Sequence, residues 1–156
     1  MKKNALYITR AGIIAALYVV LTFISNLLGL ASGPVQFRLS EMLCILPCFF
    51  PSAIWGLFVG CFLSNLLTGA IVWDLIFGSM ATLIGAVGTY FLRKKKVLSF
   101  VPPILSNSII VPWVLSEFYH LEKAYLVIVF TVFLGEFVTV VFGGMLTKTL
   151  VKKIPQ

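Results

Sequence analysis

Long apolar stretches with few charged residues are the feature that most constrains this chain. The stretch from Ala11 to Leu28 contains no charged residue, and a helix needs about 20 apolar residues to cross a bilayer. Over the whole chain 60% of the residues are hydrophobic and 11% are charged, whereas soluble domains average about 25% charged residues. So few polar groups cannot cover a water-exposed surface. We therefore expect the chain to lie within a lipid bilayer.

Six apolar segments predict an all-α integral membrane protein, a six-transmembrane-helix bundle that forms a single membrane domain over residues 1–156. Their approximate bounds are 6–30, 40–50, 51–67, 74–92, 98–118 and 124–151. The second segment is short, because about eleven residues at 1.5 Å each do not cross about 30 Å of hydrocarbon as an α-helix. It is either re-entrant or crosses with the help of an extended stretch that starts at Val35.

Basic residues predict the orientation of the chain. All of the 12 Lys and Arg residues except Arg38 and Lys123 lie before or at the start of the first segment, after the fourth, or near the end of the last. Such clusters favour the cytoplasmic side of a membrane. Six crossings put all three clusters on that side, so we expect a multi-pass cell-membrane protein with cytoplasmic N- and C-termini. Because the charge of +7 is explained by this membrane face, we expect no nucleic-acid partner.

Acidic residues inside the apolar segments are the first candidates for a binding site. An ionisable side chain costs at least about 2.5–3.5 kcal/mol at the centre of a transmembrane helix, so it usually faces a cavity or a partner. Glu136 lies near the middle of the last segment, and Glu41 and Asp74 lie at the outer ends of the second and fourth. The structural alternatives are an interhelical hydrogen bond for Glu136 and a favourable helix N-terminal position for Glu41 and Asp74.

Amide, basic and aromatic side chains accompany these acids. The further predicted substrate-binding residues are Gln36, Arg38, Asn65, Asn107, Trp73 and Trp113. Carboxylates, amides and aromatic faces together suit a planar heterocycle with paired N–H donors. Alternatively, Arg38 pairs with Glu41 and the tryptophans form an interfacial belt. Most of this set lies toward the outer ends of the segments, which predicts an outward-opening pocket for a small molecule.

Small residues recur at helical spacing in the first and third segments. They are Ala11, Gly12, Ala15 and Ala16 in the first segment and Gly56, Gly60 and Ser64 in the third. Such stripes let helix backbones approach closely. They serve either packing within this bundle or docking to another membrane protein. The first segment is the better docking candidate, because its small face lies at the cytoplasmic end.

Catalytic and nucleotide-binding motifs are absent from the sequence. The chain has no G-x-x-x-x-G-K-[ST], H-E-x-x-H or G-x-S-x-G motif and a single histidine, His120, so we expect neither an enzyme nor an ATPase. The three cysteines lie in apolar sequence without zinc-site spacing. We therefore expect no metal and no cofactor.

Three motifs resemble the QueT family, and the similarity extends over essentially the whole chain. They are Gln36-Phe37-Arg38-Leu39-Ser40-Glu41 leading to Leu46-Pro47, the stretch from Gly56 to Asn65, and Trp73-Asp74-Leu75-Ile76-Phe77-Gly78-Ser79 continuing to Leu83. That family comprises substrate-binding S components of energy-coupling factor (ECF) transporters. The resemblance implies the S-component fold and a transmembrane EcfT partner with two ABC ATPases. It also implies a docking motif for EcfT at Ala11 and Ala15, beside Gly12 and Ala16.

The same resemblance implies a substrate, the queuosine precursor 7-aminomethyl-7-deazaguanine. We expect Glu41 or Glu136 to accept its guanine-like N–H pair and Asp74 to attract its aminomethyl cation. We also expect Trp73 or Trp113 to stack on the ring, and the amides of Gln36, Asn65 and Asn107 to hydrogen-bond to its carbonyl group and ring nitrogens. The rival interpretations are an S component for queuine or for another vitamin such as a flavin, thiamine or biotin, a non-transport assembly subunit, and a lipid-directed membrane enzyme.

Overall fold

The computed structural model describes residues 2–30, 37–95, 97–118 and 124–151, and within these ranges it is helical without a β-strand. The α-helices are α1 (Lys2–Leu27), α2 (Ser52–Leu67), α3 (Val72–Phe91), α4 (Val101–Phe118), α5 (Tyr125–Val138) and α6 (Gly144–Val151). A 3₁₀ helix at Leu39–Cys48, called the 3₁₀ segment below, joins α1 to α2, and a shorter one at Leu98–Phe100 precedes α4. A π-helical turn at Thr139–Gly143 joins α5 to α6. The expectation of an all-α chain is confirmed.

Among the described residues, four helical stretches are long and apolar enough to cross a membrane. They are Asn4–Leu27, Val72–Phe91, Leu98–Phe118 and Tyr125–Val151. The 3₁₀ segment and α2 are apolar but shorter, with 10 and 16 residues. The chain therefore has the helices of a multi-pass membrane protein, whereas six crossings, a single domain and cytoplasmic termini stay predictions.

The small residues of α2 bring it into close contact with α1. A Cβ added to Gly56 would lie 2.7 Å from the backbone oxygen of Ala11, and one added to Gly60 would lie 2.7 Å from the Cβ of Tyr18. Both distances are far below van der Waals contact, so only glycine fits at these positions. The glycines of the third predicted segment therefore pack inside the bundle.

The 3₁₀ segment lies in the interior of the bundle, in contact with α1, α2, α3, α6 and the π turn. Most of its residues, from Ser40 to Pro47, are buried. Since a 3₁₀ helix rises about 2.0 Å per residue, this short segment extends about 20 Å, against about 15 Å as an α-helix. Non-α backbone at membrane depth is tolerated where protein surrounds it. Its geometry and burial explain how so short a segment fits among longer helices.

The π turn packs against the 3₁₀ segment. A Cβ added to Gly143 would overlap the side chain of Met42, and one added to Gly144 would lie 2.8 Å from the ring of Phe100. Gly143 lets the last helical stretch approach the 3₁₀ segment closely, and Gly144 leaves room for Phe100 of the short 3₁₀ helix. Glu136 lies on α5 just before this approach, which places its carboxyl group toward the interior.

Candidate functional site

Four helices bring a set of polar side chains together inside the bundle. We call this set the carboxylate cluster, and it consists of Tyr18 from α1, Glu41 and Cys44 from the 3₁₀ segment, Asn107 from α4, and Glu136 from α5. Every member is buried, and Glu136, with the most exposed surface, is only 6% exposed. The cluster joins two of the three predicted acids to one of the predicted amides.

Asn107 bridges the two carboxylates of the cluster. Its Nδ2 donates to Oε2 of Glu41 and to Oε2 of Glu136, at 3.2 Å each. A side-chain amide has two N–H protons, so each carboxylate receives one of them. The structural alternative for Glu136, a hydrogen bond to a neighbouring helix, is therefore present in the structure. Its donor, Asn107, also hydrogen-bonds to Glu41.

Glu41 has more hydrogen-bond donors around it than Glu136. The hydroxyl of Tyr18 donates to its Oε1 and the thiol of Cys44 donates to its Oε2 at 2.9 Å, in addition to the amide of Asn107. Glu136 receives a single hydrogen bond from the described part of the chain. A carboxylate has about four acceptor positions. Glu136 therefore keeps unused acceptor capacity in a buried position.

Arg38 and Asp74 form a second charged group, which we call the ion-pair end. Nη2 of Arg38 lies 3.8 Å from Oδ2 of Asp74, and their side chains are 23% and 8% exposed. Arg38 immediately precedes the 3₁₀ segment, and Asp74 lies in the first turn of α3. The alternative in which Arg38 pairs with Glu41, three residues along, is therefore wrong: the fold places the start of α3 beside Arg38.

Asn65 and Gly78 shape the surroundings of Asp74. Nδ2 of Asn65 donates to the backbone carbonyl of Asp74 at 3.2 Å, so the amide holds the first turn of α3. A Cβ on Gly78 would lie 3.1 Å from Oδ1 of Asp74 and 3.2 Å from Nδ2 of Asn65. The glycine thus leaves room for both polar side chains.

Side chains of α1 hold the start of the 3₁₀ segment, and sequence reasoning missed them. Thr22 donates to the hydroxyl oxygen of Ser40 at 3.0 Å, and the backbone N–H of Leu39 donates to the hydroxyl oxygen of Ser25 at 2.9 Å. Tyr18, Thr22 and Ser25 form a polar stripe at helical spacing on a buried face of α1. This stripe of hydroxyl groups within an apolar segment was the signal that could have found them.

Trp73 and Trp113 lie in an aromatic group at the ends of α3 and α4. Trp73 stacks on Phe118 with ring centroids 4.7 Å apart, and Trp113 meets Phe77 edge-on at 5.1 Å. Both tryptophans are partly exposed, as residues of an interfacial belt are. Stacking on a ligand stays a prediction for these two residues, and Gln36 lies outside the described residues.

The four small residues proposed for docking divide between two faces of α1. Ala11 and Ala15 face Gly56 and Gly60 of α2, whereas Gly12 and Ala16 are exposed. The first pair therefore packs inside the bundle, and the second pair is the part of the stripe that a partner can reach. Elsewhere, residues 2–30, 37–95, 97–118 and 124–151 contain no group of three or more His, Cys, Asp or Glu side chains placed to hold a metal ion.

Comparisons with known proteins give one family and one curated relative. The model of the family described as QueT transporter matches residues 8–152. The chain is similar to the queuosine precursor transporter QueT of Lactococcus lactis subsp. cremoris (strain MG1363), with 42% identity over 85 residues. That match covers 54% of this chain and 50% of the relative, about half the length of each. No solved structure matches.

Proposed function

The chain belongs to the QueT transporter family, and we propose that it is the substrate-binding S component of an ECF importer for a queuosine precursor, 7-aminomethyl-7-deazaguanine. The observation that carries this proposal is the carboxylate cluster. Two buried acids bridged by one amide are costly inside a membrane, and such residues commonly mark a substrate pathway. The name of the Lactococcus lactis relative, a queuosine precursor transporter, supports the choice of substrate.

The polar groups of the two charged regions match the chemistry of this substrate. A deazaguanine presents a paired N–H edge, a carbonyl group and ring nitrogens, and its aminomethyl group is a cation. The acids Glu41, Asp74 and Glu136 offer acceptors for the N–H groups. Asn65 and Asn107 offer amides for the carbonyl and ring nitrogens, with Gln36 and Arg38 as further candidates. Trp73 or Trp113 supplies a stacking face in this proposal.

Coupling to partner subunits is the second part of the proposal. The chain has no ATP-binding motif, so inward delivery draws on two ABC ATPases joined through an EcfT subunit in the membrane. Gly12 and Ala16 are the exposed small residues of α1 and allow a partner helix to approach closely. Ala11 and Ala15, which carry the motif in the family, support that face from within because they pack on α2.

The substrate is tested by calorimetry on detergent-purified protein. We expect tight binding of 7-aminomethyl-7-deazaguanine and no comparable binding of guanine, riboflavin or thiamine. Glu136→Gln and Asp74→Asn should each weaken binding while the protein stays folded. Selective binding of a control vitamin would overturn the substrate, and unchanged affinity in both variants would overturn the site.

Docking is tested by co-purification with EcfT and the ATPases. Ala16→Trp should abolish co-purification and leave ligand binding intact, because the bulky ring projects from an exposed position. Leu17→Trp is the matched control: Leu17 is the next residue of α1 and is also exposed, but it lies outside the small stripe. Assembly of the Ala16→Trp variant at wild-type level would contradict this docking face.

A further inference from the structure

The two charged regions differ in charge balance. At the ion-pair end, the guanidinium of Arg38 lies beside the carboxylate of Asp74. In the carboxylate cluster, the groups that donate to the acids are an amide, a phenol and a thiol, all of them neutral donors. In the described part of the chain no Lys or Arg forms an ion pair with Glu41 or Glu136. The cluster therefore combines two acids with no cation in ion-pair contact, and Arg38 acts on both of them only from a longer distance.

The two acids of the cluster are close enough to bind one group together. Oε2 of Glu41 and Oε2 of Glu136 each lie 3.2 Å from the same nitrogen of Asn107, so their separation is at most twice that distance. Two like charges this close disfavour each other in a low-dielectric interior. A cation that contacts both oxygens removes that repulsion.

Glu136 is the acid with room for another donor. Its side chain is more than nine-tenths buried and accepts one hydrogen bond, from Asn107. A buried acceptor left short of partners costs free energy, and more so when it is charged. The carboxylate therefore has acceptor capacity left for a ligand's donor.

We propose that Glu41 and Glu136 form the cation subsite of the pocket and bind the ligand's aminomethyl ammonium, with Glu136 as the main contact. The inference rests on the proposed function and revises the expectation that Asp74 attracts this cation, because Asp74 already has Arg38 as its ion-pair partner. In 7-aminomethyl-7-deazaguanine the ammonium and the paired N–H edge project from different parts of a rigid ring system. The cluster therefore receives one of them, and only the ammonium brings a positive charge to it.

The ammonium also fits the cluster by its hydrogen bonds. It has three N–H donors and no acceptor, so it can reach both carboxylates without presenting a lone pair to either. The paired N–H edge of the ring is neutral and brings no positive charge to the two acids. That edge then belongs near the ion-pair end, where Asp74 and the amide of Asn65 lie together.

The test compares two ligands that differ in the amine alone. The probes are 7-aminomethyl-7-deazaguanine and 7-methyl-7-deazaguanine, and their Kd values are measured by calorimetry on the full chain. We expect wild type to prefer the aminomethyl ligand by about 10- to 100-fold, the size of one charge-assisted hydrogen bond. Glu136→Gln should reduce this preference to a few-fold at most, since the amide keeps the shape and removes the charge. Asp74→Asn should weaken the binding of both ligands and keep the preference for the aminomethyl ligand.

The outcomes separate this inference from the proposed function. Equal binding of both ligands by wild type would overturn the inference and leave the proposed function standing, and that comparison requires no variant. A preference for the aminomethyl ligand that is lost in Asp74→Asn and kept in Glu136→Gln would place the cation at Asp74, and this result would also overturn the inference. Failure of wild type to bind either deazaguanine would overturn the proposed function, and the inference with it.

Discussion

The carboxylate cluster and the ion-pair end both contain buried carboxyl groups, but the direct partners of those groups differ. Asp74 has a cation beside it and a first-turn position on α3, where the helix dipole favours an acid. Glu41 and Glu136 share one neutral amide, although they are buried to an extent similar to that of Asp74. The difference teaches that burial of an acid does not by itself indicate a ligand site. What distinguishes the cluster is that neither of its acids is in ion-pair contact with a Lys or Arg of the described residues.

The largest effect is expected when the bridge between the two acids is removed. Asn107→Leu deletes both hydrogen bonds and leaves two buried carboxylates facing each other, so the free energy of unfolding should fall by about 3 kcal/mol or more. Chemical unfolding in detergent measures this loss. Ser106→Ala is the matched control on α4, because Ser106 donates only to the carbonyl of Pro103 in its own helix. An Asn107 variant as stable as the Ser106 variant would contradict the bridge.

The second effect concerns the donors around Glu41. Tyr18→Phe removes the phenol that donates to Oε1 and keeps the ring in place, so we expect a loss of about 1.5–3 kcal/mol in stability. Ligand affinity should fall as well, because Glu41 loses the contact that orients it. Tyr7→Phe serves as the control, since Tyr7 is exposed and makes one long hydrogen bond to a backbone carbonyl. Equal stability of the two variants would show that the hydroxyl of Tyr18 does not stabilise the cluster.

A smaller effect is expected from crowding the ion-pair end. Gly78→Ala places a methyl group 3.1 Å from the carboxylate of Asp74, which must shift by a few tenths of an ångström. We expect a cost of about 1–2 kcal/mol in stability and weaker binding of both deazaguanines alike. Gly12→Ala is the control, since a Cβ there has no neighbour within 4 Å. A change in the preference between the two ligands would show that the two regions are not independent.

The smallest effect is expected from breaking the ion pair itself. Arg38 is partly exposed, and its 3.8 Å contact with Asp74 is long. Partly exposed pairs contribute about 0–1 kcal/mol, so Arg38→Gln should change the free energy of unfolding by less than about 1 kcal/mol. The same variant leaves Asp74 without its cation. If the contrast between the regions is correct, the variant should keep the preference for the aminomethyl ligand over the methyl ligand at or above its wild-type value, measured by calorimetry, and a lower preference would argue against it.

Local patterns in the sequence predicted much of the fold. The helices of the structure lie over the six predicted apolar segments, because hydropathy and segment length depend on neighbouring residues alone. The family resemblance, read from the R-x-S-E and W-D-x-x-F-G-S motifs, is confirmed by the match over residues 8–152. The 3₁₀ geometry of Leu39–Cys48 was not predictable, since an apolar pattern of ten residues does not distinguish 3₁₀ from α.

The candidate site was predicted as a set of residue types and not as a set of contacts. Glu41, Asn107 and Glu136 were identified because polar groups in apolar segments are costly, but no local signal pairs Glu41 with a residue 66 positions away. Tyr18 was missed because a tyrosine in an apolar segment looks like packing. For Arg38, the local spacing favoured Glu41, and the fold instead supplied Asp74.

The sequence by itself determined that this chain is helical and suited to a lipid bilayer, that it belongs to a transporter family, and which acids lie inside its apolar segments. These properties follow from composition and motifs, which need no knowledge of what packs against what. Only the tertiary structure decided which acid is in ion-pair contact with an arginine and which acids are not, and which small residues of α1 are covered by α2. Charge balance and burial depend on distances between segments far apart in the chain, and those distances exist only once the helices have packed.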